Sequence, residues 1–194
     1  ALCCRNIGEM EEGMNSDKII LDLCGGTGAW SKPYKDAGYD VKVITLPDFN
    51  VTETYPFNGM ATNSLKEGKG LPSLHFGGSH SLNIEVKNVH GILAAPPCTE
   101  FSLAKNSQPR DFFGGMKTVR SCLEIIWYCR INGNLKWWAL ENPRGFLRQF
   151  LGVPKYQFQG WWFGDRIKKP TDLWGYFKEP VKSRKRIKPD YPRK

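Results

Sequence analysis

Lys18-Ile-Ile-Leu-Asp-Leu-Cys24, followed at once by Gly25-Gly-Thr-Gly28 and then Ala29-Trp-Ser-Lys-Pro-Tyr-Lys-Asp-Ala37, decides the fold class. The first stretch is an apolar run of strand length, the glycines break it sharply, and the third stretch reads as a helix. Gly38-Tyr39 closes that helix, and Val41-Lys-Val-Ile-Thr-Leu46 supplies a second strand ending at Pro47-Asp48. Residues 18–48 therefore read as a βαβ unit, which requires a parallel sheet. Outward from this unit, Val89 to Ala95 is another buried-type strand, stopped by Pro96-Pro97-Cys98. A helix is predicted from about Met116 to Arg130. Its Val119, Cys122, Leu123, Ile126 and Cys129 recur at the spacing of a core-facing stripe, and Gly133 ends it. Lys136 to Glu141 reads as a strand entering Asn142-Pro143, then a short helix through Phe150, then an aromatic strand around Phe158 to Phe163. Strands alternating with helices define an α/β layer fold. Residues 57–88, rich in Gly, Ser and Asn with weak periodicity, read as a long surface insertion holding short elements of its own.

The 194 residues and 22.1 kDa suit one domain. A 40% hydrophobic and 13% aromatic content excludes a disordered chain, and the longest apolar run, Ile92 to Pro97, is too short to cross a bilayer. The net charge of +9 favours an anionic partner such as nucleic acid, and +6 of it falls within residues 178–194. Pro180, Pro189 and Pro192 make that tail extended, so it either tracks a phosphate backbone or is simply solvated. The six cysteines contain no C-x-x-C, and His75, His80 and His90 form no H-x-x-x-H pair, so neither a zinc site nor a redox dithiol is expected. Ala1 to Met14 carries acidic residues where a secretory signal needs an apolar region. Residues 1–17 read as a disordered or weakly ordered leader, and a reducing, cytoplasmic interior is the expected home.

Three places carry chemistry, each just past the carboxyl end of a predicted strand, where open parallel sheets bind ligands. In Asp22-Leu-Cys-Gly-Gly-Thr-Gly28 the glycines permit a tight turn and close backbone approach, and Asp48 after the second strand suits ribose hydroxyls. The turn lacks both the G-x-G-x-x-G of a dinucleotide fold and the G-K-[ST] of a phosphate loop, so a nucleoside cofactor without a polyphosphate fits better. Ala94-Ala-Pro-Pro-Cys-Thr-Glu-Phe-Ser102 holds a cysteine behind two prolines at the mouth of the sheet, a placement suited to a nucleophile as well as to a buried packing residue. Zinc deaminases, whose P-C-x-x-C would need a cysteine where Phe101 stands, are excluded. Ala139-Leu-Glu-Asn-Pro143 places a carboxylate beside Trp137 and Trp138. Burial would raise its pKa so that it shares a proton with a ring nitrogen, although Glu141 could equally cap the following helix.

In this order the three motifs resemble the cytosine-C5 DNA methyltransferases, particularly their short, phage-like forms, over most of residues 18–178. Phe163-Gly164-Asp165-Arg166 resembles the family's later arginine-bearing motif. The amine-directed methyltransferases, similar in fold, carry [DN]-P-P-[YF] where this chain has Ala95-Pro96-Pro97-Cys98. The resemblance implies a Rossmann-like, S-adenosylmethionine-dependent methyltransferase fold with helices on both faces of a mostly parallel sheet. It also implies a catalytic domain over 18–177, and a cytoplasmic setting that would be a host cell's if the chain is phage-encoded. It implies that Cys98 adds to C6 of a cytosine that is flipped out or single-stranded, that Glu141 engages N3 and the exocyclic amine, and that Arg166 supports the base. S-adenosylmethionine, leaving as S-adenosylhomocysteine, would be held by Asp22, Cys24, Gly25, Gly26, Thr27, Gly28, Asp48 and Pro96. DNA, or RNA as the nearest variant, would meet Ser102, Lys105, Arg110, Lys168 and Lys169, with Arg184, Lys185 and Arg186 in the tail. The chain departs from the family's pattern at Cys24, where an aromatic is usual, at Thr99, where Gln is usual, and in ending soon after Trp174-Gly175-Tyr176 without room for a large target-recognition domain. Recognition would then fall to the 57–88 insertion, the 103–115 loop with Lys117, the tail or a second subunit. The competing reading is a noncatalytic nucleic-acid-binding module on the same fold.

Overall fold

A computed structural model describes residues 15–57, 71–105, 108–163 and 169–181. The opening stretch forms β1 (Ile19–Leu23), α1 (Lys32–Asp36) and β2 (Asp40–Ile44), with β1 and β2 parallel. The helix is shorter than its sequence suggests. Gly26 and Gly28 take positive φ, the Gly28 N–H bonds the Gly25 carbonyl, and Pro33, which lacks an N–H, sits in the first helical turn where that loss costs nothing.

β3 (Asn50–Phe57), β4 (Ser73–Gly77) and β5 (Leu82–Glu85) form an antiparallel sheet of their own. The expected surface insertion is thus built differently. Val51, Leu74, Phe76, Ile84 and Val86 are buried in the main hydrophobic cluster, so the small sheet closes one side of the core.

β6 (Val89–Ala94), α2 (Phe112–Asn132), β7 (Trp137–Pro143), α3 (Arg148–Leu151), β8 (Tyr156–Gln159) and β9 (Pro170–Tyr176) complete the described chain. The main sheet has the order β2-β1-β6-β7-β9-β8. β1, β2, β6 and β7 pair in parallel, while β9 runs antiparallel to both β7 and β8. The mixed α/β class read from the sequence is what the structure shows. Asp111 caps α2 by accepting the Gly114 N–H at 2.8 Å, and Val119, Cys122, Ile125, Ile126 and Cys129 bury its inner face. Cys122 and Cys129 are core residues, and burial pushes the Cys129 thiol up to about 12, out of reach of thiolate chemistry near neutrality.

The pleat sorts the sheet by parity. Leu21, Leu23, Ile92, Ala94 and Leu140 face α2, while Ile20, Leu93 and Ala139 face α1 with Tyr34. No helix among the described residues is long and apolar enough to cross a membrane.

Candidate functional site

The three sequence motifs meet at one edge of the main sheet. The Cys24 N–H bonds the Ile44 carbonyl at 2.7 Å and the Ala95 N–H bonds the Leu23 carbonyl at 2.9 Å, which ties the ends of β2, β1 and β6 together. Buried Asn142, at the end of β7, donates from Nδ2 to the Pro96 carbonyl at 3.0 Å. The Phe146 N–H bonds the Phe101 carbonyl at 2.8 Å, and Ser102 bridges to Gly145. The 96–102 turn is therefore joined to residues 142–146 by the Asn142 side chain at one end and by backbone pairing at the other. Gly145 is the residue this approach requires, since a Cβ there would collide with the Phe101 carbonyl.

Asp22 lies on the α1 face and is fully buried, with neither carboxylate oxygen in hydrogen-bond geometry. Burial pushes its carboxyl up, and the nearby Ser31 hydroxyl and amide draw it partly back through their dipoles. Directly above it, a Cβ at position 25 would run into the carboxyl group. Gly25→Ala is expected to destabilise the fold by about 1–3 kcal/mol through overpacking, and a Gly25→Ala/Asp22→Ala double variant should lose less than the sum, measured by urea unfolding. Asp22→Asn tests the carboxyl itself. A carboxyl raised by folding contributes stability that is whole below its unfolded value and lost as pH rises through its folded one. The neutral amide should thus raise Tm at pH 7, each kcal/mol reading as about 2–4 °C, and the gain should vanish in acid below about pH 4.

Cys24 takes φ 59° and packs against Cys122; the hydrogen bond between the thiols holds Cys24 below its ordinary value and pushes Cys122 up. Gly26 and Thr27 are exposed, and Gly28 sets the turn into α1 by accepting from the Lys32 N–H and Ser31 Oγ. Asp48 is exposed beyond β2, with His80 Nδ1 at 3.6 Å from its Oδ1. His80 on the β4–β5 turn is thus a neighbour of the candidate ribose-binding acid that the sequence did not reveal.

Cys98 is half-buried and its thiol is unbridged. Its carbonyl accepts the Phe101 and Ser102 N–H groups at 3.0 and 2.8 Å, which fixes the backbone of the turn. Downstream, Lys105 and Arg110 serve the loop itself. Lys105 Nζ lies 2.7 and 2.6 Å from the two Glu100 carboxylate oxygens, Arg110 donates to the Glu100 and Lys105 carbonyls, and its guanidinium sits 4.7 Å from the centre of the Phe146 ring. The Lys105 ammonium and the Asp111 N–H hold the Glu100 carboxyl below the ordinary range.

Glu141 shares strand parity with Asp22's face of the sheet, opposite to Asn142. Burial pushes its carboxyl up, Lys169 pulls it back and Asp172 adds to the rise. Among the described residues, Lys169 is the expected nucleic-acid contact whose charge acts on this carboxylate. Asp172, fully buried on β9, is clamped by Arg148 Nε and Nη2, both at 2.5 Å. This pair went unread because β9 was not anticipated, although Thr171-Asp172-Leu173-Trp174 after Pro170 carries a strand-like run. Arg166, Lys168, Arg184, Lys185 and Arg186 lie outside the described residues.

No family model matches the chain. Over 92 residues, 47% of its length, it is 35% identical to the Type II methyltransferase M.DdeI of Desulfomicrobium norvegicum. The matched part amounts to 21% of that protein, so the chain spans about a fifth of its relative.

Proposed function

We propose that the chain is a catalytic domain that transfers a methyl group from S-adenosylmethionine to C5 of cytosine in DNA. The observation that carries this reading is the Asn142 Nδ2 bond to the Pro96 carbonyl at 3.0 Å, which holds a half-buried cysteine turn against the strand end that bears the half-buried Glu141. The strand order, with β9 alone reversed at one side of a parallel sheet, supports the Rossmann-like methyltransferase fold for this domain. The likeness to a Type II methyltransferase supports DNA as the substrate.

The residues fit the methyl donor. A buried, unpartnered Asp22 carboxyl under a loop whose Gly25 admits no side chain is an acceptor cradle, and Gly26, Thr27, Gly28, Cys24, Asp48 and Pro96 complete the holding set. S-adenosylmethionine supplies an electrophilic methyl group. The Cys98 thiolate adds to C6 of the target cytosine, forming an S–C bond and placing an electron pair at C5. Glu141 holds a proton at N3 and meets the exocyclic amine, so charge that develops in the ring is shared with a carboxyl whose hold on a proton is strengthened by burial. Once C5 has taken the methyl group, with S-adenosylhomocysteine as the leaving group, solvent accepts the C5 proton, the electron pair re-forms the C5–C6 double bond and the S–C bond breaks, returning the thiolate. Lys169 is placed to steady Glu141, and Arg166 takes the base-supporting role.

The test is transfer of labelled methyl to DNA, together with trapping on an oligonucleotide carrying 5-fluorocytosine, whose fluorine blocks loss from C5. A covalent adduct that needs Cys98 is the expected result. Methyl transfer without any adduct would overturn the covalent route, and neither signal on DNA or RNA would favour the noncatalytic module.

A further inference from the structure

We infer that the open face of the main sheet beside α1 is a second nucleic-acid surface, a groove that takes single-stranded DNA through stacked bases. α1 is only five residues long, so on this face Leu93, Ala139 and Leu173 of β6, β7 and β9 are covered largely by the side chains of Tyr34, Trp30, Trp137 and Phe177, and no long helix lies over them. The result is a groove of about 610 Å³, floored by Leu93, Ala139 and Leu173, within the size range of small-molecule sites. Its walls are aromatic. Trp30 and Tyr34 stand on one side, Trp137 stacks on Tyr34 at 5.1 Å between ring centres, and Tyr176 and Phe177 form the other side. Tyr176 is 63% exposed, which is unusual for a ring that could have been buried.

The charge on the rim selects the occupant. Lys136, Lys155 and Lys178 line the groove, and no acidic side chain lines it among the described residues. Lys155 Nζ lies 4.8 Å from the Phe177 ring centre and 5.7 Å from that of Tyr176, holding both rings with their faces beside a cation. Flat rings alternating with ammonium groups match unstacked bases joined by phosphates, whereas a duplex hides its base faces. Neither Cys98 nor Glu141 lines the groove, although its floor residue Leu173 pairs across the sheet with Glu141, so this surface goes beyond the proposed chemistry and adjoins it.

The test uses the full chain, no methyl donor and a short oligothymidylate, which contains no cytosine. Oligothymidylate should quench tryptophan emission and bind more tightly than an abasic strand of equal length and charge. Tyr176→Ala and Lys136→Glu, both at exposed positions, should each weaken it about tenfold, the scale of one lost base stack or one phosphate contact, with S-adenosylmethionine binding unchanged by calorimetry. Equal affinity for the abasic strand, or variants that bind like the parent, would overturn the groove. Tighter binding of oligouridylate would assign it to RNA instead. A dimer that Tyr176→Ala dissolves, with no effect on oligonucleotide binding, would show that a second copy fills it.

Discussion

Cys98→Ser is expected to lower methyl transfer by on the order of 10⁴-fold or more and to abolish the 5-fluorocytosine adduct, with S-adenosylmethionine affinity unchanged. The size follows from what serine retains and what it loses. The turn is fixed by the two preceding prolines and by the Phe101 and Ser102 N–H bonds to the Cys98 carbonyl, none of which involves the thiol. Serine therefore occupies the same place with the same reach. It fails because an alcohol offers almost no anion in neutral water, whereas sulfur is the intrinsically stronger and more readily ionised nucleophile. Single-turnover transfer from labelled donor gives the rate, and denaturing electrophoresis gives the adduct. Transfer by the serine variant within tenfold of the parent would remove Cys98 from the chemistry.

Glu141→Gln carries the second large effect, a loss of about 10²–10⁴ in the transfer rate, the usual worth of a positioned proton donor. The amide keeps the volume and one hydrogen bond to the exocyclic amine but cannot hold or release the proton at N3. The pH profile separates this from damage to the fold. Burial keeps the Glu141 carboxyl protonated to higher pH than an exposed glutamate, so the parent rate should fall as pH rises through that raised value. The Gln variant should lack this descending limb. A profile of unchanged shape in the variant would assign Glu141 to packing at the end of β7.

Much of the main sheet was legible because its strands announce themselves twice, by apolar run and by what stops them. Lys18 to Cys24 ends in glycines, Val89 to Ala95 in prolines and Lys136 to Glu141 in Asn-Pro, and the structure has strands at Ile19–Leu23, Val89–Ala94 and Trp137–Pro143. The stretch from Asn50 to Val86 was harder. Leu74 and Phe76, then Ile84 and Val86, do alternate, but each pair is flanked by Ser, His, Gly or Asn, and the pairing that makes them a sheet is between strands, not along one. The site was legible as residue types: Asp22, Cys98 and Glu141 all stand at one sheet edge. Its wiring was not. The bond from Asn142 to Pro96 joins positions 46 apart in sequence, and the Arg148–Asp172 clamp joins positions 24 apart, separations at which composition says nothing about contact.

The clasp of Glu100, Lys105 and Arg110 has a bearing on how the domain would grip a polyanion. The Lys105 ammonium is neutralised by the Glu100 carboxylate and the Arg110 guanidinium is engaged by two backbone carbonyls and the Phe146 ring, so the loop beside the nucleophile offers a polyelectrolyte less free positive charge than its sequence advertises. Counterion release must then come from lysines set farther out. Raising ionic strength would weaken capture of the strand and raise KM, while the step at the cytosine ring, which follows capture, would keep its kcat.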